Sequence, residues 1–220
     1  MRNLLLSAAL AVSSLFVATV QAADPVAGQH YTELNSPLPV SGDKIEVAEV
    51  FWYGCPHCYQ FEPALNAWAE NLPEDVKLVR VPAQFNELWQ THARLFIALE
   101  VMKVEPQVHK AIFEGIHEAQ DVRLTGTRDG RRLVLPTVDS MGSFLAGLGI
   151  DKDVFAKTYQ SFAVENRLKN YGRMVVNSQI NGVPAIIVNG KYRLDIGSAG
   201  GIAQTLEVTD YLINKERAAK

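Results

Sequence analysis

Cysteine is scarce in this 220-residue chain, which contains only Cys55 and Cys58. Two cysteines so close together cannot form the disulfide framework that holds many small secreted domains together. The chain does not need one, because about 200 residues with 48% hydrophobic content can bury a full core. Stability alone is therefore a poor explanation for the pair.

Several other features are also missing. The 21 Lys and Arg residues do not exceed the 24 Asp and Glu residues, and the net charge of −3 makes nucleic acid an unfavourable partner. We find no internal repeat, no low-complexity tract and no added dimerisation segment, so a monomer is expected. After the N-terminal region there is no second hydrophobic run of membrane-spanning length.

The first 22 residues have the pattern of a secretory signal peptide. Arg2 precedes an apolar run from Leu4 to Val20, and Val20-Gln21-Ala22 matches the small-residue rule for cleavage. A signal anchor is the alternative, but the run is short and no basic flank follows it. We expect removal after Ala22 and an exported mature protein, in a compartment where disulfides persist.

The region around the two cysteines has the pattern of a βαβ unit. Residues Ile45 to Tyr53 are almost continuously apolar, which predicts a strand buried on both faces. Cys55 then occupies the N-cap of a helix with Pro56 at its first position. Pro63 is expected to kink this helix before Pro73 ends it, and a second strand follows at Val76–Val81.

The rest of the chain changes from helix back to strand. Four patterned segments predict helices, and a hairpin and a final helix follow them. The predicted ranges are Leu88–Val104, Pro106–Ala119, Thr137–Gly147 and Asp151–Ile180 for the helices, Ala185–Leu194 for the hairpin and Ile202–Arg217 for the final helix.

These elements predict an α/β fold in which a βαβ half and a ββα half are separated by an all-helical insertion, the layout of a thioredoxin-like core. The expected divisions are 1–22 for the signal peptide, 23–87 and 172–220 for the core, and 88–171 for the insertion. Two lobes should face each other across a groove beside Cys55.

The position of the cysteines favours thiol chemistry. Only a thiolate attacks a disulfide, and the N–H groups and dipole of a helix start stabilise one at Cys55. His57 can add a donor or a charge. Cys55 is therefore the expected nucleophile and Cys58 its buried partner. Stabilising the thiolate stabilises the reduced form, so we expect a disulfide oxidase.

Other interpretations compete with this one. As a staple, a four-residue loop is worth only about 2 kcal/mol. A metal-binding C-x-x-C module lacks a second ligand pair, since the histidines have no ligand spacing and His109 and His117 are eight apart. Within the same class, the chain could be a reductase or isomerase. No metal and no bound cofactor is expected.

Two further positions are candidates for the site. Glu49 alternates with Val47 and Phe51, which puts a carboxylate on an apolar face. It is either a proton acceptor and donor for Cys58 or an ion-paired structural group. Val183-Pro184 opens a strand, and composition alone favours an ordinary trans edge proline. If it lies beside Cys55, the backbone of Val183 could pair with an extended substrate.

With these residues identified, the chain resembles the DsbA family of periplasmic thiol:disulfide oxidoreductases over nearly all of the mature sequence. Three features carry the resemblance: the active-site run Cys55–Glu62, an acidic residue at Glu49, and the loop Gly182-Val183-Pro184-Ala185 followed by Val188–Tyr192.

The resemblance implies that Cys55 is the nucleophile, that Cys58 resolves, and that Val183-Pro184 faces the substrate with Pro184 in the cis form. It also implies donation of disulfides to newly exported proteins, reoxidation by a membrane protein of the DsbB type, and no bound cofactor. Residues 122–136 depart from the family pattern. Their arginines are interpreted as part of a solvated loop, namely Arg123, Arg128, Arg131 and Arg132 with Asp121 and Asp129.

Overall fold

The computed structural model describes residues 24–219. The predicted signal peptide, residues 1–22, lies outside them. In chain order the elements are β1 (Thr32–Glu33), β2 (Ile45–Phe51), α1 (Pro56–Ala69), β3 (Val76–Pro82), α2 (Glu87–Val101), α3 (Glu105–His117), α4 (Val122–Thr125), β4 (Thr127–Asp129), β5 (Arg132–Val134), α5 (Val138–Ala146), α6 (Lys152–Tyr159), α7 (Phe162–Asn177), β6 (Ala185–Val188), β7 (Tyr192–Asp195), α8 (Ile196–Ala199) and α9 (Ile202–Ala218).

Five strands form the central sheet in the order β1-β7-β6-β2-β3. β2 and β3 are parallel and connected through α1, which is the predicted βαβ unit. β6 pairs antiparallel with both β2 and β7, and α9 follows as the helix of the predicted ββα half. The short edge strand β1, which pairs with β7, was not predicted.

Both faces of the sheet are covered, which explains why the sequence of β2 is apolar throughout. All seven residues of β2 are buried. Ile45 and Val47 pack with residues of α1 and α9 on one face. Ala48 and Val50 pack with the C-terminal part of α7 on the other. β2 is therefore a fully buried interior strand between β6 and β3, and it leads directly to the cysteines.

The segment between β3 and β6 is helical, as predicted, with two differences. The helix predicted from Asp151 to Ile180 is two helices, because Ser161 accepts the N–H of Val164 and starts α7 as a new helix. Residues 122–136, predicted as a loop, instead form α4 and the exposed hairpin β4-β5. A two-residue turn at Gly130, whose φ is +58°, closes this hairpin.

α7 contacts both α2 and β3, so the helical segment packs directly against the sheet. It also runs continuously through residues 171 and 172, where the sequence suggested a boundary. The division into 88–171 and 172–220 thus stays a prediction.

α1 continues through Pro63 and ends at Ala69, before Pro73, as predicted, and the kink at Pro63 stays a prediction. Among residues 24–219, no helix combines the length and apolar character needed to cross a bilayer.

Candidate active site

The chain turns sharply between β2 and α1, and this turn presents the first cysteine. The N–H of Cys55 donates to the carbonyl of Trp52 at 2.9 Å. Cys55 is the N-cap of α1, with extended backbone angles and with Pro56 just inside the helix. Proline is suited to this position because its missing N–H would have no partner there. The cysteine sulfur is thus held against the N–H groups of the first helical turn.

The environment of Cys55 stabilises its thiolate. The backbone N–H of Cys58 donates to Sγ of Cys55 at 3.4 Å. Hydrogen bonding from the Cys58 thiol, assisted by the backbone N–H groups of Cys58 and His57 and by the charge of His57, outweighs burial and lowers the pKa of Cys55 to about 6. At neutral pH this thiol is therefore largely ionised.

Cys58 has the opposite character. Its side chain is completely buried. Burial, its hydrogen bond to Cys55 and the neighbouring charges of Cys55 and Glu49 raise the pKa of Cys58 far above its usual range. The two sulfurs thus differ strongly in acidity, as predicted from their positions in the helix.

A loop from the other half of the sheet completes the surroundings of Cys55. The Val183-Pro184 peptide bond is cis, the form implied by the family resemblance and not by composition. Sγ of Cys55 lies 3.5 Å from the carbonyl oxygen of Val183, which can accept the thiol proton. The pairing of β6 with β2 brings this loop to the start of α1.

A groove of about 510 Å³ runs along this loop. Its wall includes the exposed ring of His57, the Val183-Pro184 pair and Arg193 of β7. The sequence led us to expect a groove between two lobes beside Cys55. The groove along the Val183-Pro184 loop is lined by Thr32 of β1, β7, α8, the start of α1 and residues 180–185, with no lining from the segment 88–171, so the groove between two lobes stays a prediction.

Comparison with known proteins assigns the chain to a family. It is 50% identical over 220 residues to the thiol:disulfide interchange protein DsbA of Pseudomonas aeruginosa, covering 100% of this chain and 99% of the relative. It is 52% identical over 226 residues to DsbA of Azotobacter vinelandii, covering all of both chains. The chain belongs to the DsbA family. It is a thiol:disulfide interchange oxidoreductase.

Solved structures of DsbA proteins confirm the thioredoxin-like fold class. The crystal structure of Pseudomonas aeruginosa DsbA matches with a TM-score of 0.80 at 49% identity, covering 89% of this chain and 96% of that one. The oxidoreductase DsbA of Xylella fastidiosa matches with a TM-score of 0.79 at 35% identity, covering 88% and 98%. No family model matched the sequence.

Glu49 of this DsbA-family chain is fully buried on β2. Burial, with the nearby charge of Glu62, raises the pKa of Glu49 to about 8 even though Arg80 and His109 lower it. Arg80 Nε lies 3.4 Å from one carboxylate oxygen, and among the described residues, 24–219, neither oxygen has a hydrogen-bond partner. The charge of Glu49 contributes to the raised pKa of Cys58, so the two groups interact.

Glu49 belongs to a larger buried cluster that the sequence did not predict. The other members are Tyr53, Glu62, Arg80, Glu105 and His109. The only sign of it in the sequence is the i,i+4 spacing of Glu105 and His109, which places both side chains on one face of α3. The contact of His109 with Glu62 of α1 joins residues 47 positions apart and could not be read from the sequence.

Aromatic side chains fix α1 and β2 against the helical segment. Tyr59 stacks on His117 with ring centroids 4.9 Å apart, and its hydroxyl donates to Glu118. Trp52 stacks on Trp89 at 4.2 Å. Within residues 24–219, no group of three or more His, Cys, Asp and Glu side chains is arranged to hold a metal ion.

Proposed function

We propose that this DsbA-family protein acts as a disulfide oxidase, donating a Cys55–Cys58 disulfide to reduced, unfolded exported proteins. The observation that carries the proposal is the position of Cys55 Sγ at the N-cap of α1, where the backbone N–H of Cys58 donates to it at 3.4 Å and its pKa is lowered to about 6. A stabilised Cys55 thiolate lowers the free energy of the reduced enzyme relative to the oxidised one. The Cys55–Cys58 disulfide is therefore a strong electron acceptor.

In the proposed reaction a substrate thiolate attacks Sγ of Cys55, the S–S bond to Cys58 breaks, and a mixed disulfide forms. Cys58 leaves with the electron pair and takes a proton, for which Glu49 is the proposed donor. A second substrate thiolate then attacks the substrate sulfur of the mixed disulfide and releases Cys55 as its stable thiolate. The substrate is oxidised by two electrons and the enzyme is reduced by two.

The remaining site residues have proposed supporting roles. Pro56 starts the helix with the geometry that holds Cys55 at its N-cap, and His57 adds favourable charge beside Cys55. The backbone of Val183, next to Pro184, is proposed to pair with an extended segment of substrate along the groove. No bound cofactor is needed for these steps.

The cellular setting completes the proposal. The pattern of residues 1–22 supports export to the periplasm with cleavage after Ala22, and the mass of the mature protein tests this position. A membrane protein of the DsbB type is proposed to reoxidise the enzyme. The mature protein is proposed to be a monomer with the helical segment 88–171 inserted between 23–87 and 172–220.

The deciding experiment mixes the oxidised protein with a reduced peptide that contains two cysteines. We expect rapid formation of the peptide disulfide together with reduction of the Cys55–Cys58 pair, and no reaction with the C55S variant. If the reduced protein readily reduces the oxidised peptide while the forward reaction fails, the direction is reversed. Stoichiometric zinc binding without exchange would support the metal-binding alternative instead.

A further inference from the structure

His109 lies at the centre of the buried charged cluster and contacts a carboxylate on each side. Its Nε2 is 3.1 Å from Oε1 of Glu62, and its Nδ1 is 2.6 Å from Oε1 of Glu105. The hydroxyl of Tyr53 is 2.9 Å from the same Nδ1. All three ionisable partners are buried, so this ring is not a surface histidine with an incidental contact.

The contacts on both nitrogens favour the protonated ring. A neutral ring that carries its proton on Nε2 would leave an unprotonated Nδ1 2.6 Å from the carboxylate oxygen of Glu105, whereas the cation places an N–H beside each carboxylate. Burial alone would lower the pKa of His109, but its close contacts with the carboxylates of Glu105 and Glu62 outweigh burial and raise it. The pKa of Glu62 is correspondingly lowered, mainly because its contact with His109 overcomes the effect of burial.

The cation is connected to Glu49 through Glu62 and Arg80. Nη2 of Arg80 lies 3.4 Å from Oε2 of Glu62, and its Nε lies 3.4 Å from Oε2 of Glu49. Asn66 holds this arrangement by accepting from Arg80 at 2.6 Å and donating to Glu62 at 2.8 Å.

Charge balance in this cluster depends on His109. With the ring protonated, Arg80 and His109 balance Glu62 and Glu105, and ionisation of Glu49 leaves one uncompensated negative charge. With a neutral ring, ionisation of Glu49 would leave two negative charges in a buried site, which is far more costly. Other charged or titratable groups that act on Glu49 or His109 are Tyr53 on the turn after β2 and Cys58 on α1.

We infer that His109 is a positioning residue for the exchange reaction. Its positive charge allows Glu49 to ionise, so that Glu49 can accept the proton of Cys58 and later return it. The inference rests on the proposed proton-transfer role of Glu49. His109 lies on α3, outside the sequence run that contains the cysteines. According to this inference, a residue of α3 controls the pH at which Cys58 reacts.

The test follows the attack of Cys58 on a mixed disulfide between Cys55 and glutathione. Reduced protein is mixed with saturating oxidised glutathione, and release of the second glutathione is measured as a function of pH. In H109Q we expect the midpoint of this profile to rise by about one pH unit and the rate at neutral pH to fall about tenfold. The titration of the Cys55 thiolate should change little.

H92Q is the matched control. His92 is also a buried histidine of the helical segment, but burial lowers its pKa to about 4, so its ring is neutral and its loss removes no charge. The H92Q profile should keep the wild-type midpoint. An equal shift in H92Q and H109Q would mean that the effect comes from packing, and would overturn the inference.

The double variant H109Q/E49Q separates a charge effect from a structural one. If His109 acts through Glu49, its substitution should have little further effect once Glu49 cannot titrate. Independent, additive effects would contradict the inference. So would a wild-type profile in E49Q, even if the protein still oxidises peptides, whereas failure to oxidise peptides would contradict only the proposed direction.

A measurement on the unmodified protein covers the case in which H109Q does not fold. The nitrogen chemical shifts of the imidazole ring distinguish the cation from the neutral ring. We expect His109 to be doubly protonated at neutral pH. A neutral ring under these conditions would overturn the inference without any variant.

Discussion

At the scale of single residues, the acidity of the two sulfurs is decided by local hydrogen bonds and burial. Cys55 is only 7% exposed, so exposure does not explain its low pKa. Its thiolate is stabilised by donors from Cys58 and His57, whereas the thiol of Cys58 has the cost of burial without a comparable set of donors. Two chemically identical side chains therefore acquire different acidities within one helical turn.

The order of these contributions predicts the effects of two substitutions. The hydrogen bond from the Cys58 thiol is the largest contribution to the lowered pKa of Cys55, and the charge of His57 is smaller. C58A should therefore raise the pKa of Cys55 more than H57A does. Thiolate absorbance measured against pH in the reduced proteins gives both values. A reversed order would show that the charge of His57 dominates, and equal values would contradict the expected ranking.

At the scale of elements, the site depends on how the turn between β2 and α1 is packed. The indole of Trp52 lies over Gly54, and a Cβ at Gly54 would be only 2.3 Å from a ring carbon. The ring has little freedom to move, because it is stacked on Trp89 of α2. A side chain at Gly54 would therefore displace either the aromatic stack or the turn that holds Cys55.

G54A should accordingly destabilise the protein by about 1–3 kcal/mol, the usual cost of overpacking. G182A is the matched control, because a Cβ at that position meets no atom within 4 Å. Denaturant unfolding of both variants in the same redox state tests the difference. Comparable stability of G54A and wild type would show that the Trp52 ring moves easily.

The start of α2 also affects this stack. The side chain of Asn86 caps the helix by accepting the N–H of Trp89 at 3.2 Å. N86A should cost about 1 kcal/mol of stability, since the N–H of Trp89 loses its side-chain partner.

N177A, at the exposed last residue of α7, should change stability by less than about 0.5 kcal/mol. Thermal or denaturant unfolding compares the two variants. Equal losses in both would show that the Asn86 cap does not contribute.

At the scale of the whole molecule, thiolate acidity is linked to folding stability. The pKa of Cys55 is about 6 in the folded reduced protein, and that of an unfolded cysteine is about 8.5. A depressed pKa stabilises the folded state fully above the unfolded value, and the contribution is lost as the pH falls through the folded value. The oxidised protein has no Cys55 thiolate and should lack this contribution.

The reduced form should thus gain stability relative to the oxidised form as the pH rises from about 6 to about 8. Above this range Cys58, whose folded pKa is raised, begins to oppose the trend, because it ionises only in the unfolded chain. Denaturant unfolding of both redox forms at several pH values measures the difference. The reduced C55S variant should not show the rise, and an identical rise in that variant would assign it to other groups.

The sequence by itself determined the features that depend on neighbouring residues. The apolar run before Cys55, Pro56 after it, and the spacing of the two cysteines predict a buried strand, a helix start and an asymmetric thiol pair. These features are local because strand burial, N-capping and first-turn hydrogen bonds act over a few residues. The ββα half could be predicted in the same way, from the β-branched strands around Asn189-Gly190.

Only the tertiary structure decided how distant segments meet. The pairing of β6 with β2 brings the cis Val183-Pro184 bond to Cys55, and composition alone favoured a trans bond. Likewise, Glu49, Arg80 and His109 look unrelated along the chain, because each comes from a different element. Burial brings their charges together in a medium that cannot screen them, so the ionisation of each depends on the others.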